Sequence, residues 1–304
     1  MPSDPIALPC ARLLIDWLNA RYDASFAISD ATGDAIVASD GARRVAVYVA
    51  PLWDDDASWD ERLRTMESRL SGDGSFVLWV PPKADVPVDE PAASEFVQRV
   101  QDAAATLEPG ARTEVLFPRP VRLTKQSAEG GYASVTGALG RWWTRITENV
   151  QGTFSINASA VHRVTHDGEK REQLWAWIGA LSQGVEVGHV AQFDVDEAWT
   201  LQRLPADAPS GFTLIGAPPS VDPTEGILVR RTARKRLAAA NEALAPLDVD
   251  LRAVALAGIY EYAELETAGA AVKALDPSLF SGAQVVAVLA DGEVRPTFAP
   301  AALP

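Results

Sequence analysis

The sequence predicts an α/β (α+β) protein, with an N-terminal core of helix, three-stranded meander, helix and strand, followed by a larger C-terminal α/β part. Two patterns support this fold class. Apolar residues recur at helical spacing in several segments, and short runs rich in valine and other apolar residues lie between turn residues. Apolar residues make up 47% of the 304 residues and charged residues 22%, so the chain can bury a sizeable core.

The first predicted element is a helix over residues 9–22. Leu14, Trp17 and Leu18 lie at positions i, i+3 and i+4 and form one apolar face. Cys10, the single cysteine, lies at the start of this helix and is interpreted as a small buried hydrophobic residue. A single cysteine excludes an intramolecular disulfide, which fits a reducing compartment.

Three short strands are expected next, over residues 25–30, 35–39 and 43–51. A glycine in the Ala31–Asp34 turn suits a tight hairpin, and Asp40-Gly41 marks the second turn. The third strand is rich in valine and ends at Pro51, because proline cannot donate a hydrogen bond to a sheet. These strands predict a meander.

A second helix and a fourth strand complete the N-terminal core. Ser58 and Glu61 have the spacing of a capping box, which predicts that the helix starts at Ser58. Its apolar face consists of Trp59, Leu63, Met66 and Leu70. The fourth strand is expected over 75–80, and a proline-rich connector over 81–91 leads to a helix over 92–107.

The C-terminal part is expected to mix helices and strands. Expected strands cover 112–125, 153–157, 160–165, 185–195, 251–257, 284–290 and 294–298, the first of them bent or broken at Pro118 and Pro120. Expected helices cover 132–150, 168–183, 224–244 and 259–275, and residues 204–223 are expected to be loop. The chain is therefore divided into two predicted domains, 1–110 and 111–304.

The order of elements over residues 9–81 resembles the core of the PD-(D/E)XK nuclease-like superfamily. That core carries an Asp near its second strand and a Glu-x-Lys on its third; the acids hold a divalent metal ion and the lysine helps to position the attacking water. In many members the third strand reads Arg-Arg-Val-Ala-Val-Glu-Val-Lys. Here residues 43–50 read Arg-Arg-Val-Ala-Val-Tyr-Val-Ala.

The resemblance implies a nuclease scaffold with a degenerate metal site. Tyr48 stands where the glutamate would be and Ala50 where the lysine would be, and neither can replace a carboxylate on Mg²⁺. Asp34 or Asp40 could match the aspartate, although both are also ordinary turn residues. The sequence therefore favours a non-catalytic interaction or scaffold protein that acts through a protein partner and needs no cofactor.

The alternative is a metal-dependent nuclease with a relocated acid. It would use Asp34 or Asp40 with Mg²⁺ and a further carboxylate, for which Glu61 and Glu67 are the candidates. The sequence contains no phosphate-binding loop, dinucleotide-binding glycine motif or nucleophile elbow. The sequence therefore contains no other known motif that would support a different catalytic hypothesis.

The most basic feature is the predicted helix at 226–240. Two i,i+4 pairs on it form a basic stripe: Arg230 with Arg234, and Arg231 with Lys235. The stripe could contact an anion or a nucleic acid. It could equally be a solvated helix face that docks on the protein's own acidic surface. The net charge of −14 favours the second interpretation.

A second group of cations accompanies Trp142 and Trp143, and consists of Arg119, Arg122, Lys125, Arg141 and Arg145. Tryptophan beside arginine can stack on bases, but the same residue types form protein interfaces. Because both tryptophans lie in a predicted amphipathic helix, at least one of them is expected in the core. The segment therefore predicts either a nucleic-acid contact or a partner surface.

Two further groups could bind a cation. Asp54, Asp55 and Asp56 form an acidic cluster, but negative charge is also favourable where a loop enters a helix N-terminus. His162 and His166 are four residues apart where a predicted strand runs into a turn, and about 13 Å separates residues at this spacing on a strand. No metal site is therefore expected at either group.

The expected location is the cytoplasm, without a membrane partner. No continuous apolar run approaches the ~18 residues that a membrane span needs. The first residues lack the basic start and apolar run of a signal peptide. A chain this acidic repels polyanions at long range, so nucleic acid is not the favoured partner.

Overall fold

The computed structural model describes residues 5–31, 35–205, 208–222, 225–258 and 275–303. These ranges contain helices and two mixed sheets, so the predicted α/β fold is confirmed. The helices are α1 (Ala7–Tyr22), α2 (Ala57–Glu67), α3 (Ala92–Ala105), α4 (Trp143–Asn149), α5 (Gly168–Gln183) and α6 (Gly226–Leu244). The strands are β1 (Ala27–Asp30), β2 (Ala35–Ser39), β3 (Arg44–Pro51), β4 (Ser75–Trp79), β5 (Arg112–Ser127), β6 (Gly131–Val135), β7 (Gly152–Asn157), β8 (Val190–Arg203), β9 (Gly211–Ile215), β10 (Leu251–Ala257), β11 (Val285–Ala290) and β12 (Glu293–Phe298). Within the described ranges, none of the helices is long and apolar enough to span a bilayer.

The first sheet has the strand order β1-β2-β3-β10-β11-β12. Strands β1, β2 and β3 form the predicted antiparallel meander. Strands β3, β10 and β11 run parallel, with Val45 opposite Leu251 and Ala253 opposite Val285. The sheet therefore combines strands from the two ends of the chain. The order helix, meander, helix, strand along the chain is as predicted, but β4 belongs to the second sheet, so the prediction that these elements form one core is wrong.

Helices cover both faces of this sheet, as parallel strands require. Val45 and Val47 pack with α1 on one face, and Ala46 packs with α6 on the other. Because side chains alternate along a strand, Tyr48 and Ala50 follow Ala46 on the α6 face. The two positions singled out by the sequence therefore share one side of β3.

The chain forms two compact units. Unit 1 comprises Met1–Thr113 and Thr200–Pro304, and unit 2 comprises Glu114–Trp199. The linear division into 1–110 and 111–304 does not anticipate the pairing of β3 with β10, which joins the C-terminal residues to unit 1. That pairing links segments about 200 residues apart, so no local pattern announces it.

Unit 1 contains part of the second sheet. Strand β4 pairs antiparallel with the end of β8, where Trp79 lies opposite Thr200, and parallel with β9. The prediction of loop over 204–223 is wrong for residues 211–215, which form β9. Phe212 of β9 stacks on Phe76 of β4 at 4.7 Å, so packing stabilises this short strand between two proline-containing segments.

Unit 2 has its own core. Strand β7 pairs antiparallel with β5 and parallel with β6, and α4 and α5 contribute to the same apolar cluster. Phe154 and Trp175 are the largest buried side chains of this cluster. Strand β5 is continuous through Pro118 and Pro120, so the predicted break there is wrong.

The predicted helix over 132–150 is also wrong in its first half. Residues 131–135 form β6, a 3₁₀ helix follows at Ala138–Trp142, and α4 begins only at Trp143. Gly137 separates the strand from the helices with a φ of 67°. A β-carbon there would lie 1.9 Å from the carbonyl oxygen of Ala158, so close packing sets the break where periodicity cannot reveal it.

Other boundaries differ less. Residues 160–165 form no strand; the Val161 N–H instead closes a turn on the carbonyl of Ala158. The strand expected over 185–195 begins at Val190 and extends to Arg203. The predicted helix over 259–275 lies, except for its last residue, outside the residues that the structure describes.

Candidate functional site

A cleft of about 750 Å³ lies in unit 1 at the C-terminal end of β3. Its walls come from the start of α1, from α2, from the segment after β9 and from α6, and both Tyr48 and Ala50 line it. Ligands of α/β sheets bind at the carboxyl ends of strands, and this volume is typical of small-molecule sites. This is the candidate functional site of unit 1, called here the β3 cleft.

Helix α2 is fixed beside the β3 cleft by its cap and by one tryptophan. The carboxylate of Asp56 accepts hydrogen bonds from the backbone N–H groups of Ser58 and Trp59, both at 3.1 Å. The cap is therefore Asp56, and the predicted capping box at Ser58 is wrong, because the last of the three aspartates already satisfies these donors. The indole N–H of Trp59 donates to the carbonyl oxygen of Gly216 at 2.8 Å.

With its start fixed, α2 turns Asp60, Arg64 and Glu67 toward the β3 cleft at i, i+4 and i+7. Glu67 accepts the backbone N–H of Leu214 at 2.7 Å, yet burial raises the pKa of its carboxyl group. Burial also raises the pKa of Asp60. A raised carboxyl pKa in a cleft is typical of functional sites, although ion-pair networks also produce one.

The structure describes one of the two candidate aspartates, and that residue lies away from the β3 cleft. Asp40 lies in the turn before β3, where backbone and side-chain hydrogen bonds from Arg43 hold its pKa below the ordinary value. The β3 cleft lies at the opposite end of β3. Asp34 lies outside the described residues. Of the two further carboxylates, Glu67 lines the cleft, and Glu61 is exposed on α2.

The basic stripe lies on the exposed side of α6, next to the acidic cluster. Arg231 and Lys235 approach Asp54 at 3.8 and 3.5 Å, and Arg230 and Arg234 are exposed. Both bridging cations keep more than 60% of their side-chain surface exposed, so these pairs stabilise little. The stripe is thus partly neutralised by the protein's own aspartates.

Arg236, one residue beyond the stripe, is the cation of α6 that lines the β3 cleft. Its guanidinium donates to Asp55 at 2.9 Å and to the carbonyl oxygens of Pro51 and Trp53. The sequence analysis missed it, because it belongs to the same run of basic residues. Its position beside the apolar face of α6, next to Leu237, is the signal that could have separated it from the stripe.

Unit 2 contains a buried carboxylate that the sequence analysis also missed. Glu197 has no exposed side-chain surface and bonds His162 Nδ1 at 2.8 Å and Trp199 Nε1 at 2.6 Å. Arg119 donates to the same carboxylate at 3.2 Å. His166 instead donates its backbone N–H to Glu114.

Unit 2 also exposes two neighbouring aromatic rings. Tyr132 and Trp143 are 51% and 47% exposed, and their ring centroids lie 6.2 Å apart. Trp142 turns the other way, with Arg171 over its ring and Trp175 beside it. One of the two adjacent tryptophans therefore packs against the core, as predicted, and the other faces solvent. The pair Tyr132 and Trp143 is called here the aromatic surface.

No family model, no curated protein and no solved structure matches this chain. Within the described ranges, no three histidine, cysteine or carboxylate side chains are arranged to hold a metal ion. The β3 cleft, the basic stripe and the aromatic surface are therefore the features of the molecule from which a function can be inferred.

Proposed function

We propose that this protein is a non-catalytic interaction protein built on a degenerate nuclease-like module of the PD-(D/E)XK type, and that it acts through a protein partner. One observation carries the proposal. Tyr48 and Ala50 both line the β3 cleft, and the resemblance implies that these are the positions at which such a module carries its glutamate and lysine. A phenol and a methyl group offer Mg²⁺ no charged oxygen ligand.

The position of Asp40 supports the same reading. Its carboxylate is engaged by Arg43 and two backbone N–H groups in a turn, at the end of β3 remote from the cleft. It acts there as an ordinary turn residue, which needs no metal. Of the motif positions that the structure describes, Tyr48 and Ala50 thus offer no charged ligand and Asp40 is engaged in a turn.

Nucleic acid is the less favoured partner. A polyanion approaching α6 would meet Asp54 and Asp55 beside the basic stripe, on a chain with a net charge of −14. Binding would have to displace the ion pairs of Arg231 and Lys235.

The aromatic surface is the partner contact that we propose. Exposed tyrosine and tryptophan supply a large rigid contact area, and these residue types dominate the energetics of protein interfaces. Tyr132 lies on β6 and Trp143 opens α4, so regular elements hold both rings. We also assign the protein to the cytoplasm, which its single buried cysteine, Cys10, permits.

Affinity purification with the tagged full chain tests the proposed contact. A specific partner should be lost when Tyr132 and Trp143 are both replaced by alanine. The matched control is Trp177→Ala, which removes another exposed aromatic ring of unit 2. Loss of the same partner in both variants, or in neither, would remove the aromatic surface as the contact.

A metal-dependent nuclease remains a second candidate because one observation favours it. Glu67, a carboxylate that the relocated-acid hypothesis needs, lines the cleft together with Tyr48. If this candidate holds, cleavage of DNA or RNA in Mg²⁺ or Mn²⁺ should be abolished by Glu67→Gln. Cleavage that persists in this variant excludes the β3 cleft as its site.

A further inference from the structure

The charges around the β3 cleft are unbalanced. Among the described residues, its walls carry four carboxylates and two guanidinium groups: Asp55, Asp60, Glu67 and Glu242 against Arg64 and Arg236. The short pair between Arg236 and Asp55, at 2.9 Å, removes one charge of each sign. Arg64 then faces three carboxylates, so the cleft has an excess of negative charge.

Burial makes this excess costly to the folded protein. The desolvated carboxyl groups of Glu67 and Asp60 have raised pKa values, and Arg64 only partly offsets the effect of burial. A carboxylate withdrawn from water is stabilised when a cation binds beside it. The cleft therefore favours a positively charged occupant.

The remaining walls indicate an organic cation. The residues that line the cleft include the aromatic residues Tyr48 and Trp53 and the apolar residues Leu63 and Leu214. Aromatic faces attract alkylammonium and guanidinium groups, whereas a metal ion needs several converging oxygen ligands. A volume of about 750 Å³ also exceeds by far what a single ion occupies and matches a small organic molecule.

We propose that the β3 cleft binds an organic cation with an alkylammonium group, and that Glu67 and Glu242 are its charge partners. Glu67 lies on α2 and Glu242 on α6, so the ammonium group would be held between the two helices. This site is separate in residues from the aromatic surface, and neither proposal needs the other.

Two probes distinguish the possible sources of the ammonium group. Spermidine represents a free polyamine, and the blocked tripeptide acetyl-Gly-Lys-Gly-amide represents a lysine side chain of a peptide. Each is titrated calorimetrically into the full chain at about 0.15 M salt, where long-range attraction between exposed charges is screened. Saturable binding of one ligand per chain is expected for at least one probe. Glutarate, a dianion of similar reach, should not bind.

Variants locate the site. Glu67→Gln and Glu242→Gln should each weaken binding about ten-fold, because each removes one charge-assisted contact. Glu172→Gln, an exposed residue of α5 in unit 2, removes the same charge elsewhere and should change affinity less than about two-fold. Glu242 is exposed, so its variant should fold even if Glu67→Gln does not. No saturable binding of either probe, or equal weakening by Glu172→Gln and Glu242→Gln, would overturn the proposal.

Discussion

Glu197 accepts a hydrogen bond from Nδ1 of His162 at 2.8 Å, although its side chain is completely buried. The same carboxylate accepts hydrogen bonds from the backbone N–H of His162, from Trp199 and from Arg119. Four donors thus compensate one buried charge and connect β5, the 158–166 segment and β8 within unit 2.

Replacing Glu197 by alanine should lower the free energy of unfolding by about 3 kcal/mol, because it leaves buried donors without their acceptor. Urea unfolding measures the change. Glu186→Ala is the matched control: Glu186 also approaches a histidine, His189, but is 84% exposed, and its removal should cost less than about 0.5 kcal/mol. Equal effects of the two substitutions would contradict the role assigned to Glu197.

The same network predicts an acid-sensitive stability. Burial acts to raise the pKa of Glu197, but hydrogen bonds from His162 and Trp199 and the charge of Arg119 outweigh it, so the pKa is lowered. A lowered carboxyl pKa stabilises the fold above the unfolded-state value of about 4.3, and this contribution is lost as the pH falls through the folded-state pKa. Unfolding free energies measured between neutral and acidic pH should therefore fall less steeply for Glu197→Gln than for the wild type. Parallel curves for the two proteins would contradict the prediction.

The cap of α2 gives a smaller, local prediction. Asp56→Ala should destabilise the protein by about 1 kcal/mol, since it removes the acceptor for the N–H groups of Ser58 and Trp59. Asp73→Ala, which changes an exposed aspartate outside the helices, should have little effect. Thermal unfolding of the two variants distinguishes a cap from a general loss of negative charge.

Replacing each of two glycines by alanine distinguishes the cost of backbone strain from the cost of steric conflict. Gly137 and Gly41 both have positive φ, at 67° and 88°. A β-carbon at Gly137 would lie 1.9 Å from the carbonyl oxygen of Ala158, whereas one at Gly41 would meet nothing within 4 Å. Gly41→Ala should therefore cost about 1 kcal/mol, and Gly137→Ala at least about 3 kcal/mol. Similar unfolding midpoints for the two variants would contradict the packing described at Gly137.

The elements predicted best are those that local signals define. The meander and α2 were expected within a few residues, because β-branched runs, turn residues and helical periodicity each act over fewer than about ten positions. The missed elements depend on distant neighbours. Strand β6 forms because β7 pairs with it, and β9 forms beside β4.

Some residues of the candidate site can likewise be identified from local sequence, whereas others depend on the tertiary fold. Tyr48 and Ala50 could be singled out from one strand, and both line the β3 cleft. Leu214 could not, because β9 reaches the cleft only through the tertiary fold, and for Arg236 the sequence offers only its position beside the apolar face of α6. Glu197 and His162 are 35 residues apart, and no spacing rule links a buried carboxylate to a histidine on another segment.

Cleavage by the purified full chain is the most direct test of the central proposal, that the protein has a nuclease-like module and is not catalytic. Single- and double-stranded DNA and RNA are incubated with the protein in Mg²⁺ and in Mn²⁺, beside Asp40→Ala and Glu67→Gln. The account predicts no product above a no-protein control in any reaction. Metal-dependent cleavage by the wild type that either substitution abolishes would contradict it.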